Sequence, residues 1–183
     1  MKDRKTVPAL DVPVLETARL RLRGHRRDDF DDLVALWSDP GVTRFIGGKP
    51  FNREDIWGRL LRQIGHWALQ GYGLWVVEEK EGGAFVGGIG FFDAKREITP
   101  SLDGMPEMGW VLSPRMQGKA YATEAVQAAV HWGDEHFGKI RMCCIIAPEN
   151  HASIRVAEKA GFRAWRHTTY KDSPTVIFVR DGG

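Results

Sequence analysis

Arg115-Met-Gln-Gly-Lys-Ala120, running straight into Tyr121-Ala-Thr-Glu-Ala-Val-Gln-Ala-Ala-Val130, decides how this chain is read. A short loop with one glycine and two cations feeds an alanine-rich helical pattern. The first turn of a helix leaves backbone N–H groups unpaired and carries partial positive charge, so it accepts phosphate readily. Gly118, with no Cβ, lets an anion come close to the backbone. The loop therefore reads as a diphosphate cradle.

It is neither of the two common cradles. A Walker loop needs Gly-x-x-x-x-Gly-Lys-Ser/Thr, but Gly118-Lys119 is followed by Ala120 and Ser113 stands where the first glycine belongs. A dinucleotide fingerprint needs Gly-x-Gly-x-x-Gly, and the nearest attempt, Gly88-Ile-Gly90-Phe-Phe-Asp93, ends in aspartate. What remains is Arg-x-x-Gly-x-Ala, a pattern whose meaning depends on its flanks.

Working outward, the helix after the cradle spans about 119–137, with Ala122, Ala125, Val126, Ala129 and Gly133 forming a face small enough to sit close on a sheet. Before the cradle, three strands are expected at Leu74–Glu79, 84–93 and Glu107–Leu112, the first two joined through Glu81-Gly-Gly83. A polar loop with Pro100 and Pro106 fills 94–106. Further back, alternating leucine and arginine over 18–23 reads as a strand with outward charges. Phe30, Leu33, Val34 and Trp37 mark a helix over 27–37 that Asp39-Pro40-Gly41 ends. Asn52 caps a second helix running to Gln70. After the cradle helix, 141–147 reads as a buried strand, 150–159 as a helix closed by Gly161, and 162–170 with 174–180 as a hairpin. The order is β-α-α-β-β-β-α-β-α-β-β: one mixed α/β domain over 15–180, after a loose lead-in at 1–14.

Composition narrows the function. With 183 residues, 43% hydrophobic and 27% charged, the chain suits one globular core, and a net charge of +2 gives no sustained basic stripe for nucleic acid. No apolar run approaches a membrane span, and no signal-peptide core is present at the N-terminus. Cys143 and Cys144 are adjacent in a strand, so their side chains face opposite ways and form neither a disulfide nor a zinc knuckle. The histidines show no metal-ligand spacing, and no metal is expected. A reducing, cytoplasmic setting fits.

Three features stand in register: the strand Glu107-Met-Gly-Trp-Val-Leu112, the cradle with its helix, and Asn150-His-Ala-Ser153 leading to Glu158-Lys-Ala-Gly-Phe162. In this order and spacing they resemble the GNAT superfamily of acyl-CoA-dependent N-acyltransferases, most nearly the branch holding the ribosomal-protein N-terminal (alanine/serine) acetyltransferases. The resemblance implies a mostly antiparallel sheet flanked by helices, with splayed central strands forming the acyl-CoA cleft. It implies that Arg115, Gln117, Gly118, Lys119, Ala120 and Ala122 hold the coenzyme A diphosphate, chiefly through backbone amides. It places Val111 and Leu112 beside the pantetheine arm, Asn150 in contact with it, and Ser153 near the thioester sulfur. Many members carry a tyrosine in the last helix as the acid for the leaving thiolate; here that position is Ala157.

The expected activity is acetyl transfer from acetyl-CoA to a primary amine, by direct attack in a ternary complex. An α-amine of pKa about 8 is already partly neutral at pH 7, whereas deprotonating a lysine there costs roughly 4–5 kcal/mol. Glu107 is the candidate base, directly or through water, and is otherwise an outward strand-end carboxylate. Ser153 either serves the sulfur or is an ordinary first-turn serine. Arg115 and Lys119 either neutralise phosphates or are solvated loop cations, and Asn150 serves as helix cap, ligand or both. Most of the rate would come from holding amine and thioester together and polarising the carbonyl. A larger acyl group such as succinyl, or a non-catalytic acyl-CoA-binding domain, are the rival readings. The acceptor stays open among protein N-termini, amino sugars, polyamines and small antibiotics, with the segments 94–106 and 41–53 expected to select it. Monomer and homodimer both fit.

Overall fold

The computed structural model describes residues 10–182. The first two strands are β1 (Leu15–Glu16) and β2 (Leu20–Arg23), followed by helices α1 (Phe30–Trp37), α2 (Pro40–Thr43) and α3 (Arg53–Gln70). Strands β3 (Leu74–Glu79), β4 (Phe85–Phe92) and β5 (Glu107–Leu112) come next, then α4 (Tyr121–Phe137), β6 (Met142–Ile146), α5 (His151–Lys159), β7 (Arg163–Tyr170) and β8 (Ser173–Arg180). All eight strands share one sheet in the order β1-β2-β3-β4-β5-β6-β8-β7. Every neighbouring pair is antiparallel except β5 with β6. The expected element order holds, with β1 and α2 added.

The parallel pair sets up the site. β5 and β6 share a single register pair, Glu107 with Cys143, reinforced by the Cys143 N–H donating to the Pro106 carbonyl at 3.0 Å. Beyond that point the two strands separate. The edge of β5 that faces β6 therefore lacks a strand partner toward Leu112, although it lies in the middle of a sheet. Unpaired strand edges inside a fold are costly, so a gap kept there is a place for something extended to pair.

Each face of the sheet is covered by the helices its residues select. On one face Leu20, Leu22, Trp75, Ile89, Phe91 and Met108 pack against Ala125, Val126 and Ala129 of α4. The small-residue face allows this closeness: a Cβ at Gly133 would lie 2.8 Å from the Phe91 ring and 3.0 Å from Met142. On the opposite face Leu33, Ile56 and Leu60 form a separate cluster under α1 and α3. α3 begins at Asn52, whose Oδ1 accepts from the Asp55 N–H at 2.9 Å, and ends at Gly71.

Three local readings gain detail. Residues 1–9 of the lead-in lie outside the described residues; 10–14 carry no strand but are tied down, with the Trp75 indole donating to the Pro13 carbonyl at 2.8 Å and Val12 packed on the core. Asp39-Pro40-Gly41 ends α1 and also starts α2, because the Asp39 carboxylate accepts from the N–H groups of Gly41 and Val42. The 94–106 segment is not merely polar: Ile98 and Leu102 are buried against Cys143, Ile177 and Val179. As alternation requires, Cys143 and Cys144 enter different clusters, and both are free thiols.

Candidate active site

The loop after β5 makes one turn of 3-10 helix at Pro114–Met116 and then enters α4. Gly118 has φ 78° and Ala120 φ 63°, so the backbone folds inward twice within three residues. Glu124 is the first residue whose N–H reaches back into the turn, donating to the Ala120 carbonyl at 3.2 Å. The N–H groups of residues 118–123 find no acceptor among the described residues. Nothing stands within 4 Å of the place a Gly118 Cβ would take. Converging free donors, a helix start and open space above glycine form an anion nest.

The nest is held by residues far away in sequence. Glu124, in the first turn of α4, accepts from Thr17 Oγ1 at 2.6 Å, from the Arg19 N–H at 3.0 Å and from Arg19 Nε at 2.8 Å. Arg19 also donates through Nη1 to the Lys119 carbonyl at 3.1 Å. Tyr121 donates its hydroxyl to Glu79 at 2.7 Å, and Lys119 Nζ lies 3.5 Å from the same carboxylate. Arg115 is exposed and pairs with no carboxylate among the described residues. Gln117 donates to the Leu112 carbonyl at 3.4 Å. Of the expected cradle residues, then, the backbone positions supply the nest, Gln117 ties it to β5, and Ala122 lies half-buried in the first turn.

Across the gap, β6 leads to α5. Asn150 caps that helix, its Oδ1 accepting from the Ser153 N–H at 3.2 Å, while the Ser153 hydroxyl makes no hydrogen bond among the described residues. Ala157, fully buried, faces the core and carries no acid. The two helix starts thus stand at the same end of the parted strands, α4 beyond β5 and α5 beyond β6, with Val111 and Leu112 on the unpaired edge between.

Glu107 is not an outward carboxylate. It is 4% exposed and held bidentately by Arg96, Nη2 at 2.7 Å from Oε1 and Nε on Oε2. Arg96 lies over the Tyr170 ring at 4.8 Å. Burial pushes the Glu107 carboxyl above the usual range, and the Arg96 hydrogen bonds and charge oppose that rise. Glu107, Gly109 and Val111 share one face of β5. The Phe92 ring covers Gly109 there, and so stands between the carboxylate and Val111.

The cysteines are poor nucleophiles. Burial pushes the Cys143 thiol up to about 12 and the Cys144 thiol well above its normal range, so neither forms thiolate at neutral pH. Among the described residues no cluster of His, Cys, Asp and Glu could hold a metal ion, and no helix is long and apolar enough to cross a membrane.

Under α1 and α3, on the face that carries Val111, lies a narrow hollow lined by His25, Leu33, Leu36, Trp37, Arg59, Gln63, Leu74 and Gly88. Its interior offers about 20 Å³, room for one water, and with the open mouth included it measures about 360 Å³. Of the aromatics in the first half of the chain, Trp67, Trp75 and Phe91 are core, Trp37 lines this hollow, and Phe45 is half-buried beneath Arg44. That His25, Arg59 and Gln63 line one hollow was not legible in the sequence, because a lone histidine and a mid-helix arginine carry no motif.

Comparison with known proteins agrees with this geometry. A sequence model described as an acetyltransferase (GNAT) domain matches residues 19–163. The YkkB protein of Bacillus subtilis, of uncharacterised function, is 32% identical over 174 residues, covering 91% of this chain and 94% of its own length. A Bacillus licheniformis protein named as an N-acetyltransferase, p20, is 30% identical over 153 residues, 83% of each chain. A solved structure from Bordetella pertussis, assigned to the GnaT-family acetyltransferases, superposes with a TM-score of 0.81 at 28% identity, over 92% of this chain and 99% of that one.

Proposed function

This chain belongs to the GNAT acetyltransferase family, and on that premise we propose that it moves an acetyl group from acetyl-CoA to a primary amine by direct attack within a ternary complex. The observation that carries the proposal is the parted β5/β6 pair with an anion nest at its open end. The nest suits a diphosphate, and the unpaired β5 edge suits an amide-bearing arm laid beside it. Gly118 to Ala122 would hold the diphosphate through backbone N–H groups, and Val111 and Leu112 would pair with the arm. Acetyl-CoA supplies the acyl group as an activated thioester.

The remaining roles belong to side chains of this chain. Asn150 keeps its amide Nδ2 free for the arm while Oδ1 caps α5. Ser153 presents an unbonded hydroxyl that can donate toward a developing thiolate, a modest aid for a thiol of pKa about 8.5. Glu107 receives the proton of the amine through water, since Phe92 bars a direct approach from Val111 and two of its acceptor sites are taken by Arg96. The bulk of the rate comes from position and from carbonyl polarisation.

Shared fold does not name the acceptor. Proteins of this fold include a spermidine N-acetyltransferase from Vibrio cholerae at 16% identity, an aminoglycoside acetyltransferase at 20% and a ribosomal L7/L12 α-N-protein acetyltransferase at 13%. Thiol release from acetyl-CoA, measured over N-terminal peptides, amino sugars and polyamines, tests the reading. Turnover with one amine class is expected; coenzyme A binding without turnover on any of them would leave a binding domain instead. Intact-mass measurement after incubation with acetyl-CoA alone tests direct attack, because a stable acetyl adduct on the protein would overturn it.

A further inference from the structure

Arg59 is a half-buried cation that pairs with no carboxylate among the described residues. Its guanidinium sits in the corner between the nearly perpendicular rings of Phe51, at 3.9 Å, and Trp37, at 4.5 Å, which fix its position without neutralising it. It lines the hollow under α1 and α3 together with Gln63, one turn along the same helix and without a side-chain hydrogen bond among the described residues, and with His25. The Nδ1 of His25 is fully buried and has no hydrogen-bond partner. Buried polar atoms are nearly always satisfied, and this Nδ1 is the one buried side-chain nitrogen or oxygen among the described residues that is not, while Arg59 and Gln63 stand half-buried beside it, free to bind a group that enters the mouth of the hollow.

Two nearby acids are already committed, and Asp32 on α1 is exposed. Asp29 accepts from both terminal nitrogens of Arg23, at 3.0 and 2.7 Å, and from the Arg26 N–H at 2.6 Å. Glu78 is held by Arg23 at 2.7 Å and lies 3.6 Å from Arg21. Asp55, one turn before Arg59, is exposed and makes no ion pair with it. The other walls are apolar: Leu33, Leu36, Ile56, Leu60 and Leu74. Burial and the neighbouring Arg62 both disfavour the Arg59 charge, with Asp55 only partly opposing them. A cation in such a site gains most from an anion that enters with the ligand.

We propose that the acceptor lies across the open mouth of this hollow and that Arg59, with His25 and Gln63, recognises a carboxylate borne by the amine substrate. This rests on the acetyltransferase reading and narrows its acceptor to short peptides whose amine reaches the β5 edge. Val111 lies opposite Gly88, Gly88 opposite Val76, and Val76 opposite Arg23, two residues before His25. Three strand spacings separate the two ends, roughly 14 Å. An acceptor extending from the Val111 end to His25, beside which Arg59 lines the same hollow, is therefore about four residues long, at ~3.3–3.6 Å per residue. The neutral His25 ring carries one proton, and a bound carboxylate selects the tautomer that places it on Nδ1. Diamines and aminoglycosides would bring positive charge against Arg59 and are disfavoured.

The test compares tetraglycine and tetraalanine with their carboxamides, and with diamines of matched length, as acceptors for the full chain. The carboxylates should be used with a kcat/KM at least about tenfold above their amides. Arg59→Gln should remove that preference through KM, leaving the KM for acetyl-CoA unchanged, and Arg59→Lys should restore part of it. Equal use of acid and amide, preference for diamines, or a preference that survives Arg59→Gln would each overturn the proposal. Calorimetric binding of tetraglycine in the presence of coenzyme A, to wild type and Arg59→Gln, needs no turnover. Arg59-dependent binding without acetylation would uphold the anion site and remove the transferase reading. Acetylation of amines with no Arg59-dependent carboxylate preference would do the reverse.

Discussion

At Gly118 the backbone turns through φ 78° with open space where a side chain would stand, so a substitution there changes the nest and little else. Asp is among the residues that tolerate this conformation, at a strain of order 1 kcal/mol. Gly118→Asp should therefore leave the thermal transition within a few degrees of wild type while placing a carboxylate against the diphosphate. Titration calorimetry should find coenzyme A binding abolished; tight binding by a folded variant would remove the cradle from the site. Glu107 presents the opposite case, since its surroundings depend on it. Glu107→Leu leaves a buried Arg96 without its partner and should cost about 3–5 kcal/mol in urea unfolding. Adding Arg96→Met should recover most of that loss, because an apolar pair replaces the ion pair. Activity is the discriminating readout: if Glu107 handles the amine proton, the stable double variant stays slow and its rate rises steeply with pH. A double variant as active as wild type would leave Glu107 a structural partner only.

At the scale of elements, α4 is positioned at both ends of its function, by packing along its length and by Glu124 at its start. Glu124 collects Thr17 and Arg19 from the segment around β2, 105 to 107 residues away. Glu124→Ala should loosen the nest rather than the helix. The expected result is a KM for acetyl-CoA raised roughly five- to thirtyfold, equivalent to about 1–2 kcal/mol of a charge-assisted bond, with acceptor KM unchanged. An unchanged KM for acetyl-CoA would show that the nest holds its shape without the clamp. These two residues mark where reading the chain stops. The strand before the cradle, the glycine turn and the small-residue face of α4 are local patterns, and each was legible because its cause lies within a few residues. The Arg19-Leu-Arg-Leu-Arg23 alternation was legible as a strand, but nothing local shows that Arg19 reaches the cradle while Arg23 reaches Asp29. Arg96 with Glu107, and Ile98 and Leu102 in an apparently polar loop, were hidden for the same reason. Their partners are set by the sheet order, in which β8 lies between β6 and β7.

For the whole molecule, the hollow under α1 and α3 couples acceptor recognition to acid stability through His25. Burial lowers its pKa from 6.5 to about 4, with Asp29 pulling it up and Arg23 adding to the fall. The unfolded chain therefore binds a proton that the folded chain refuses between those values. Stability from this group is complete above pH 6.5 and is lost as pH falls through about 4, a change of roughly 3 kcal/mol. Two groups act in the opposite sense, since burial raises Glu107 and Asp32 and so favours the folded state at lower pH. The carboxylates held low by their partners, among them Asp93, Glu124 and Asp181, lose their contributions only further into acid. Comparing wild type with His25→Gln removes these shared terms. Urea unfolding at intervals from pH 4 to 7 should show wild-type stability gaining on the variant as pH rises, with the difference levelling near 6.5. Parallel curves would mean that His25 is solvated in the folded protein. Such a ring would have water for its Nδ1, and the hollow would no longer need a ligand group there, so the same measurement also bears on what the acceptor brings to Arg59.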